Sequence, residues 1–479
     1  MEMRKMANAG CTGIVIAFVR SLILVVVVLV VAGCSTAVKH PEKGVLEKIP
    51  NHWTFSATIN ELPITSNLLS LINSNQVNLL VHEALNNNPD LHATAQRLKA
   101  SGLLSESVGA LRYPVVNADY EQSRTNQATD PFSGEKIVTG SKKIGLAFNW
   151  ELDLWGRLSD EYRASQKTYE AHVYDYKYAM DALATRVIQT WIGQIAIRKT
   201  MSVNQERLNN LRDMESIQLE RYKSGTGNLD ELSSVRSRIQ PVVVAIQDNQ
   251  AEINRSVRKL EVLLGRYPEG KIDSGTQLPI IARAPVKLPA ETLLKRPDVQ
   301  AAILRLEAAR KASDASSKAQ LPDLRLSGQI FKQAASLNNL GDSFRYWGIL
   351  GSIFQPLFDA GRLNKEKEAK ETEVEASISE LRQTILVALK EVEDVFEAEE
   401  VLCLQRAAIR AALRESVNNR VYYQDRYRKG LEPLQGYLEA REHELEVMKQ
   451  LDVIETEILK NRVDMALAVG VGIEGVDVK

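Results

Sequence analysis

From Arg157 to Ser224 the chain runs 68 residues with no proline and one glycine, and from Arg362 to Lys429 it runs another 68 with neither. Without a residue that breaks a helix, each stretch can form one rod of about 100 Å at about 1.5 Å per residue. Ordinary globular helices are a fraction of that length, so the rods belong to an elongated assembly. Tyr169, Val173, Tyr176, Met180, Leu183 and Val187 alternate steps of four and three, and the register continues through Ile197, Met201, Leu208 and Leu211. Leu381, Ile385, Ala388, Val392, Val395 and Leu402 follow the same alternation in the second stretch. Such a heptad seam keeps one stripe facing its neighbours along a supercoil. Thr190, Gln194 and Glu399 interrupt it, which predicts a seam wider or wetter than that of a two-stranded coil.

The two rods lie in two copies of one plan. "RYKSG" at 221–225 returns as "RYRKG" at 426–430, 205 residues on, and Trp155-Gly156-Arg157-Leu158 returns as Ala360-Gly361-Arg362-Leu363 at the same offset. Asn88-Pro89-Asp90-Leu91 returns as Arg296-Pro297-Asp298-Val299, and Pro114 as Pro322, both 208 residues on. Collinear landmarks at nearly constant spacing mark a duplication. The expected repeats span 75–283 and 284–470, with long helices at about 156–224 and 228–265, then 361–429 and 433–469, and a tail at 471–479.

Ahead of each rod stand alternating segments. In "KKIGLAFNWELDLW", Ile144, Leu146, Phe148, Trp150 and Leu152 share one face, while Lys143, Gly145, Ala147, Asn149 and Glu151 share the other. Period two predicts strands at about 113–125 and 142–153, separated by a polar loop containing "DPFSGE". The second repeat supplies strands at about 321–333 and 345–357, less cleanly alternating, with Tyr346 and Trp347 on opposite faces. Strands of about ten residues with one apolar face suit a transmembrane barrel. Four of them cannot close, and an open edge in lipid leaves backbone groups unpaired at several kcal/mol each. Three chains, hence twelve strands, give the smallest useful pore. The expected fold is mainly α with a β-barrel: a long helical barrel joined to a twelve-stranded barrel, built by a homotrimer with four strands per chain.

The N-terminus carries Arg4, Lys5 and Arg20 before the apolar run Ser21–Ala32, too short for a helix that spans a bilayer with about 20 residues. It reads as a signal peptide, 1–33. "VAGC" at 31–34 resembles a lipobox, which makes Cys34 the expected lipidated residue and 34–74 a lipid-anchored tether. Cys11 leaves with the signal, so Cys403 has no disulfide partner and is expected to be buried packing. Ser35, where an inner-membrane lipoprotein more typically carries Asp, points to the outer membrane.

Together, "NWELDLWGRL", the Pro-Asp pairs, both pentads, the duplication and the lipobox resemble the TolC-type outer-membrane efflux factors, in the lipoprotein branch serving resistance-nodulation-division pumps. The resemblance implies a trimeric channel in the outer membrane of a Gram-negative bacterium, with its helical tunnel in the periplasm. It implies passive conduction from an inner-membrane pump and a periplasmic adaptor. The pentads become the adaptor-docking turns: Arg221, Tyr222 and Gly225 in one, Arg426, Tyr427 and Gly430 in the other. The second hairpin becomes the movable inner one, with Arg426 and Tyr427 as closing contacts and Asp425, Glu432 and Glu439 as the charge of the constriction. Gly436 and Glu439 stand where relatives often carry Asp, so the gating network departs from the common pattern.

Other readings are weaker. Sixty basic against 61 acidic side chains leave no overall charge for nucleic acid. His82-Glu83 lacks a second ligand four residues on, where Asn86 stands, so no metal is expected. Gly470-Val-Gly472-Ile-Glu-Gly475 has no helix after it to cradle a phosphate and reads as a helix-terminating tail. Glu442-His443-Glu444 reads as a solvated helix face. No nucleophile, base and orienter assemble, so neither an enzyme nor a cofactor is expected. A periplasmic adaptor or structural coiled-coil lipoprotein would share the lipobox and heptads, but not two barrel-like hairpins.

Overall fold

The computed structural model describes residues 49–55, 67–72, 74–128, 136–272, 275, 277–284, 287–335 and 344–473. The signal peptide, Cys34 and the "DPFSGE" segment from Asp130 to Glu135 lie outside the described residues. Two helices, α1 (Asn75–Asn87) and α2 (Pro89–Ala110), lead into strands β1 (Val115–Ala128) and β2 (Lys136–Leu152). The rod α3 (Arg157–Lys223) turns back through α4 (Leu229–Leu263). After a short α5 (Pro289–Leu293), the same order returns as α6 (Pro297–Lys318), β3 (Asp323–Ala334), β4 (Phe344–Phe354), α7 (Arg362–Arg428) and α8 (Leu434–Ala468).

The strands make one antiparallel sheet in the order β1-β2-β3-β4. Its register aligns Val116, Phe148, Gly328 and Ile349 across all four strands, and above them Ala118, Leu146, Ile330 and Trp347. One face is therefore an apolar band. The other carries Asn117, Ala147, Gln329 and Gly348 in one row and Asp119, Gly145, Phe331 and Tyr346 in the next. The opposition of Tyr346 and Trp347 has a reason in this pairing: the Tyr346 ring packs 4.8 Å from Phe331, and Lys143 Nζ lies 4.2 Å from the Phe331 ring centre, all on the polar face. Leu146 and Ile349 are more than half exposed in the single chain, as expected of side chains that meet lipid.

Each strand passes into its rod through an aspartate. Asp153 accepts from the Leu158 and Ser159 amides at 3.0 and 2.8 Å, and Asp359 from those of Gly361 and Leu363 at 3.0 and 2.9 Å. These carboxylates satisfy amides at a helix start that have no intrahelical partner, and the glycine of the repeated landmark beside them takes the left-handed backbone, with φ +76° at Gly156 and +83° at Gly361.

The main core gathers part-way down the rods. Met180, Leu183, Val187, Ile188 and Ile192 of α3 meet Val77 and Val81 of α1, Val392 and Phe396 of α7, and Val463 and Met465 of α8. A smaller cluster joins Leu208, Leu211 and Met214 of α3 to Val235 and Ile239 of α4 and Leu438 of α8. The polar residues of the seam are buried with partners: Gln194 donates to the Ser256 carbonyl at 2.9 Å, Thr190 to that of Arg186 at 2.7 Å, and Glu399 accepts from Arg462 Nε at 3.0 Å. Hydrogen-bonded in this way, they cost the seam little. Cys403 differs from expectation. It is half-buried, with Sγ 3.8 Å from Glu399 Oε1 and 3.9 Å from Arg406, among charges instead of core side chains. Residues 53–55 of the tether lie along α7, where Phe55 stacks on Phe396 at 4.4 Å and the Thr54 amide donates to Glu393 at 2.7 Å.

Candidate functional site

The far ends of the rods carry the two pentads, and their backbones explain the repeat. At the first, the Gly225 amide donates to the Tyr222 carbonyl at 3.1 Å and the Thr226 amide to that of Arg221 at 2.9 Å. At the second, Gly430 donates to Tyr427 at 2.9 Å and Leu431 to Arg426 at 2.9 Å. Both are Schellman ends, in which the residue after the helix turns left-handed so that the last carbonyls find donors. Gly225 has φ +75° and Gly430 φ +69°, and a Cβ at either would meet nothing within 4 Å. Conformation, and not space, demands glycine here.

The side chains of the first turn reach the second hairpin of the same chain. Gln435 Oε1 accepts from Gln218 Nε2 at 2.7 Å and from Arg221 Nη1 at 3.2 Å, while Arg221 also lies 3.8 Å from Glu231. Tyr222 is exposed. At the second turn, Arg426 folds back on its own helix, its guanidinium 5.6 Å from the Tyr422 ring centre and Nη1 donating to Tyr422 Oη at 3.3 Å. Asp425 pairs with Lys429 at 2.5 Å, so part of its charge is already balanced. Tyr427 is 42% exposed and Glu432 half-buried. Glu439 accepts from Gln435 at 3.1 Å and lines an open cleft of about 590 Å³ shared with Arg207 and Glu442. The structure thus sets Asp425, Arg426, Tyr427 and Glu432 about one turn, while Glu439 on α8 is linked through Gln435 to Gln218 and Arg221 of the first hairpin. A Cβ on Gly436 would lie 3.1 Å from the Tyr423 ring. The absence of a side chain there lets α8 start close against α7.

Glu442 and Glu444 are not a solvated face. Both are buried: Glu442 lies 2.7 Å from Arg207 of α3, and Glu444 2.6 Å from Arg420 of α7 and 2.8 Å from Arg441. Arg441 also reaches Glu206 at 2.8 Å. His443 between them is exposed. The Arg207–Glu442 and Glu206–Arg441 pairs bind the first-repeat rod to the second-repeat hairpin just above the turns, and removing Arg207 would leave the buried Glu442 charge unmatched. The sequence hides them because Arg207 and Glu442 stand 235 positions apart. Glu83, beside the isolated His82, pairs with Arg266 at 2.6 Å through Oε2.

At the other end of α3's buried stretch a second polar site holds the chain's tail. The Ile473 amide donates to Asp181 Oδ1 at 2.9 Å, and the Gly472 carbonyl accepts from the Leu68 amide at 2.8 Å. Burial pushes the Asp181 carboxyl up to about 6, against the opposing pull of the Ile473 amide and Lys177.

Comparison with known proteins places this architecture. Residues 80–266 and 288–471 match the family model for outer membrane efflux proteins. The cation efflux system protein CusC of Escherichia coli O6:H1 is 27% identical over 75% of this chain and 74% of its own length. The pyoverdine export outer membrane protein OpmQ of Pseudomonas putida is 27% identical over 83% of this chain and 86% of its own. The crystal structure of the Campylobacter jejuni CmeC outer membrane channel superposes with a TM-score of 0.78 at 21% identity, covering 93% of this chain and 94% of that one.

Proposed function

The chain belongs to the outer membrane efflux protein family, and on that premise we propose that three copies form the exit duct of a tripartite efflux system, conducting passively what an inner-membrane pump and a periplasmic adaptor deliver. The observation that carries this reading is the sheet. Its four strands are apolar on one face and polar on the other, neither outer edge pairs with another strand among the described residues, and each hairpin continues directly into a rod of 67 residues. Closure by two further copies satisfies the edges, turns the apolar face to lipid and extends the polar face into a tunnel. A periplasmic adaptor has no use for such a band. The tip turns at Gly225 and Gly430 are the docking points for the adaptor.

The gate lies at the second turn. Opening moves α7 and α8 away from α3, which requires Gln435 to release Gln218 and Arg221. In a trimer, Glu432 and Glu439 recur three times about one axis, and rings of carboxylate select cations. Native mass measurement in detergent is expected to give three chains, and planar-bilayer recording a cation-selective pore. Glu432→Ala with Glu439→Ala should bring selectivity towards unity and relieve block by trivalent ions, while Arg426→Ala or Tyr427→Phe should raise basal conductance several-fold. A stable monomer overturns the duct. A trimer whose variants all conduct like the parent overturns only the gate.

Cys34 is the anchor in this reading. The protein extracted from membranes should have the mass of a chain beginning at Cys34 plus acyl groups, and a mature chain starting elsewhere with a free thiol there would exclude it.

A further inference from the structure

The lipid-facing side of the sheet is electrically one-sided. Every charge it carries among the residues whose side chains are described is positive: Arg124 on β1, Lys142 on β2, Lys332 on β3 and Arg345 on β4. The carboxylates of these strands, Asp119, Glu121, Glu151 and Asp323, all project from the opposite face. All four cations also sit at one end, near the β1–β2 and β3–β4 turns, which is the end away from the rods and therefore the outside of the cell. Lys332 and Arg345 are directly paired across β3 and β4, and Lys142 sits one row further out beside them on β2. Like charges placed opposite one another destabilise a sheet unless an anion lies between them. No ion pair or side-chain hydrogen bond ties any of the four to a described carboxylate. Below them, Trp347, Ile330 and Leu146 begin the apolar band, so the charges stand where acyl chains give way to headgroups.

We propose that Arg124, Lys142, Lys332 and Arg345 form a binding site for the phosphates of the glycolipid that makes up the outer leaflet of this membrane. The proposal rests on the barrel reading above. Three copies of the site would encircle the barrel and fix its height and orientation in an asymmetric bilayer. Each basic side chain near a membrane surface contributes several-fold in affinity, so the group together favours a phosphorylated headgroup by roughly two orders of magnitude or more.

The test uses the full-length trimer in zwitterionic phosphatidylcholine nanodiscs supplemented with diphosphoryl lipid A or with lipid A stripped of its phosphates, with bound lipid counted by native mass measurement. The parent should retain the diphosphoryl form about 100-fold more strongly. Combined Arg124→Gln, Lys142→Gln, Lys332→Gln and Arg345→Gln should erase that preference, while Lys143→Gln, at the same height on the polar face, should leave it intact. No preference in the parent, an undiminished preference in the fourfold variant, or an equal loss with Lys143→Gln overturns the proposal. If inorganic phosphate alone stabilises the parent as well as diphosphoryl lipid A does, the site is not a lipid site. The parent comparison stands even if the fourfold variant does not fold. Trimer mass and insertion, read in the same spectra, report on the barrel separately.

Discussion

Leu146→Arg is expected to abolish the membrane-inserted trimer, whereas Ala147→Arg, the next residue on the same strand, leaves it standing. Leu146 sits within the apolar band between Ala118 and Ile330 and is 52% exposed in the single chain, with nothing of that chain to cover it. An arginine on a barrel's lipid face costs about 2–4 kcal/mol at mid-depth and less towards the headgroups, and Leu146 lies one row inside the Lys332–Arg345 row. Three copies add their costs in one assembly, a large part of the whole stability of an ordinary domain. Ala147 lies on the other face between Asn117 and Gln329, where an added cation meets water and alters only conduction. Yield of inserted trimer, measured after membrane extraction, separates the two. Because side chains alternate strictly along a strand, a register shifted by one residue would exchange the outcomes. Equal tolerance of both substitutions would mean that this face does not meet lipid.

That contrast depends on a feature legible in the amino-acid order alone, since "IGLAFNWEL" from Ile144 to Leu152 alternates without a break. The rods are legible for a complementary reason: nothing between Arg157 and Lys223 or between Arg362 and Arg428 stops a helix, and the helices run those full lengths. Signals fail where burial comes from two sides. Helices α2 and α6 give no clear periodic signal, because small residues such as Ala301, Ala302 and Ala308 of α6 pack against the rods without marking one apolar stripe, whereas α1 buries Val77, Leu80, Val81 and Ala84 along a single stripe. The junction between α1 and α2 depends on Asn88, whose Oδ1 accepts from the Asp90 and Leu91 amides at 3.0 Å. Its counterpart in the second repeat is Arg296, which is buried and reaches Asp298 and Glu391 at 2.8 and 2.6 Å. The repeat is visible there in the sequence, but the change of chemistry between its copies is not. At the tip the glycines can be read from the pentads, while Gln435, which joins the two hairpins, carries no local mark. Pro241 lies within α4 on its exposed side, where water can serve the carbonyl that loses its amide partner.

Asp181 also leaves no trace in the sequence, yet it makes the hold on the C-terminal tail sensitive to pH. Its carboxyl faces the Gly472 backbone so closely that a Cβ there would lie 2.5 Å from Oδ2, and it receives the Ile473 amide. The tail in turn pairs with Asn67 and with the segment that packs Leu68 and Leu71 into the core. Burial raises the carboxyl from an ordinary 3.8 to about 6, so the folded site favours the protonated form. Its contribution is fully present below about pH 4 and is lost as pH rises through about 6. A shift of about two units corresponds to about 3 kcal/mol between the folded and the unfolded chain; the share carried by the tail is smaller, because the Ile473 amide itself favours the ionised carboxyl. Hydrogen exchange at the Ile473 amide, corrected for the intrinsic rate, should show that loss of protection between about pH 4 and 7 in the parent. In Asp181→Asn, whose amide oxygen can still accept from Ile473 but cannot ionise, protection should stay nearly constant across the same range. A parent profile as flat as the variant's would mean that the carboxyl is already ionised when the tail is bound, and that the tail is held without regard to its charge.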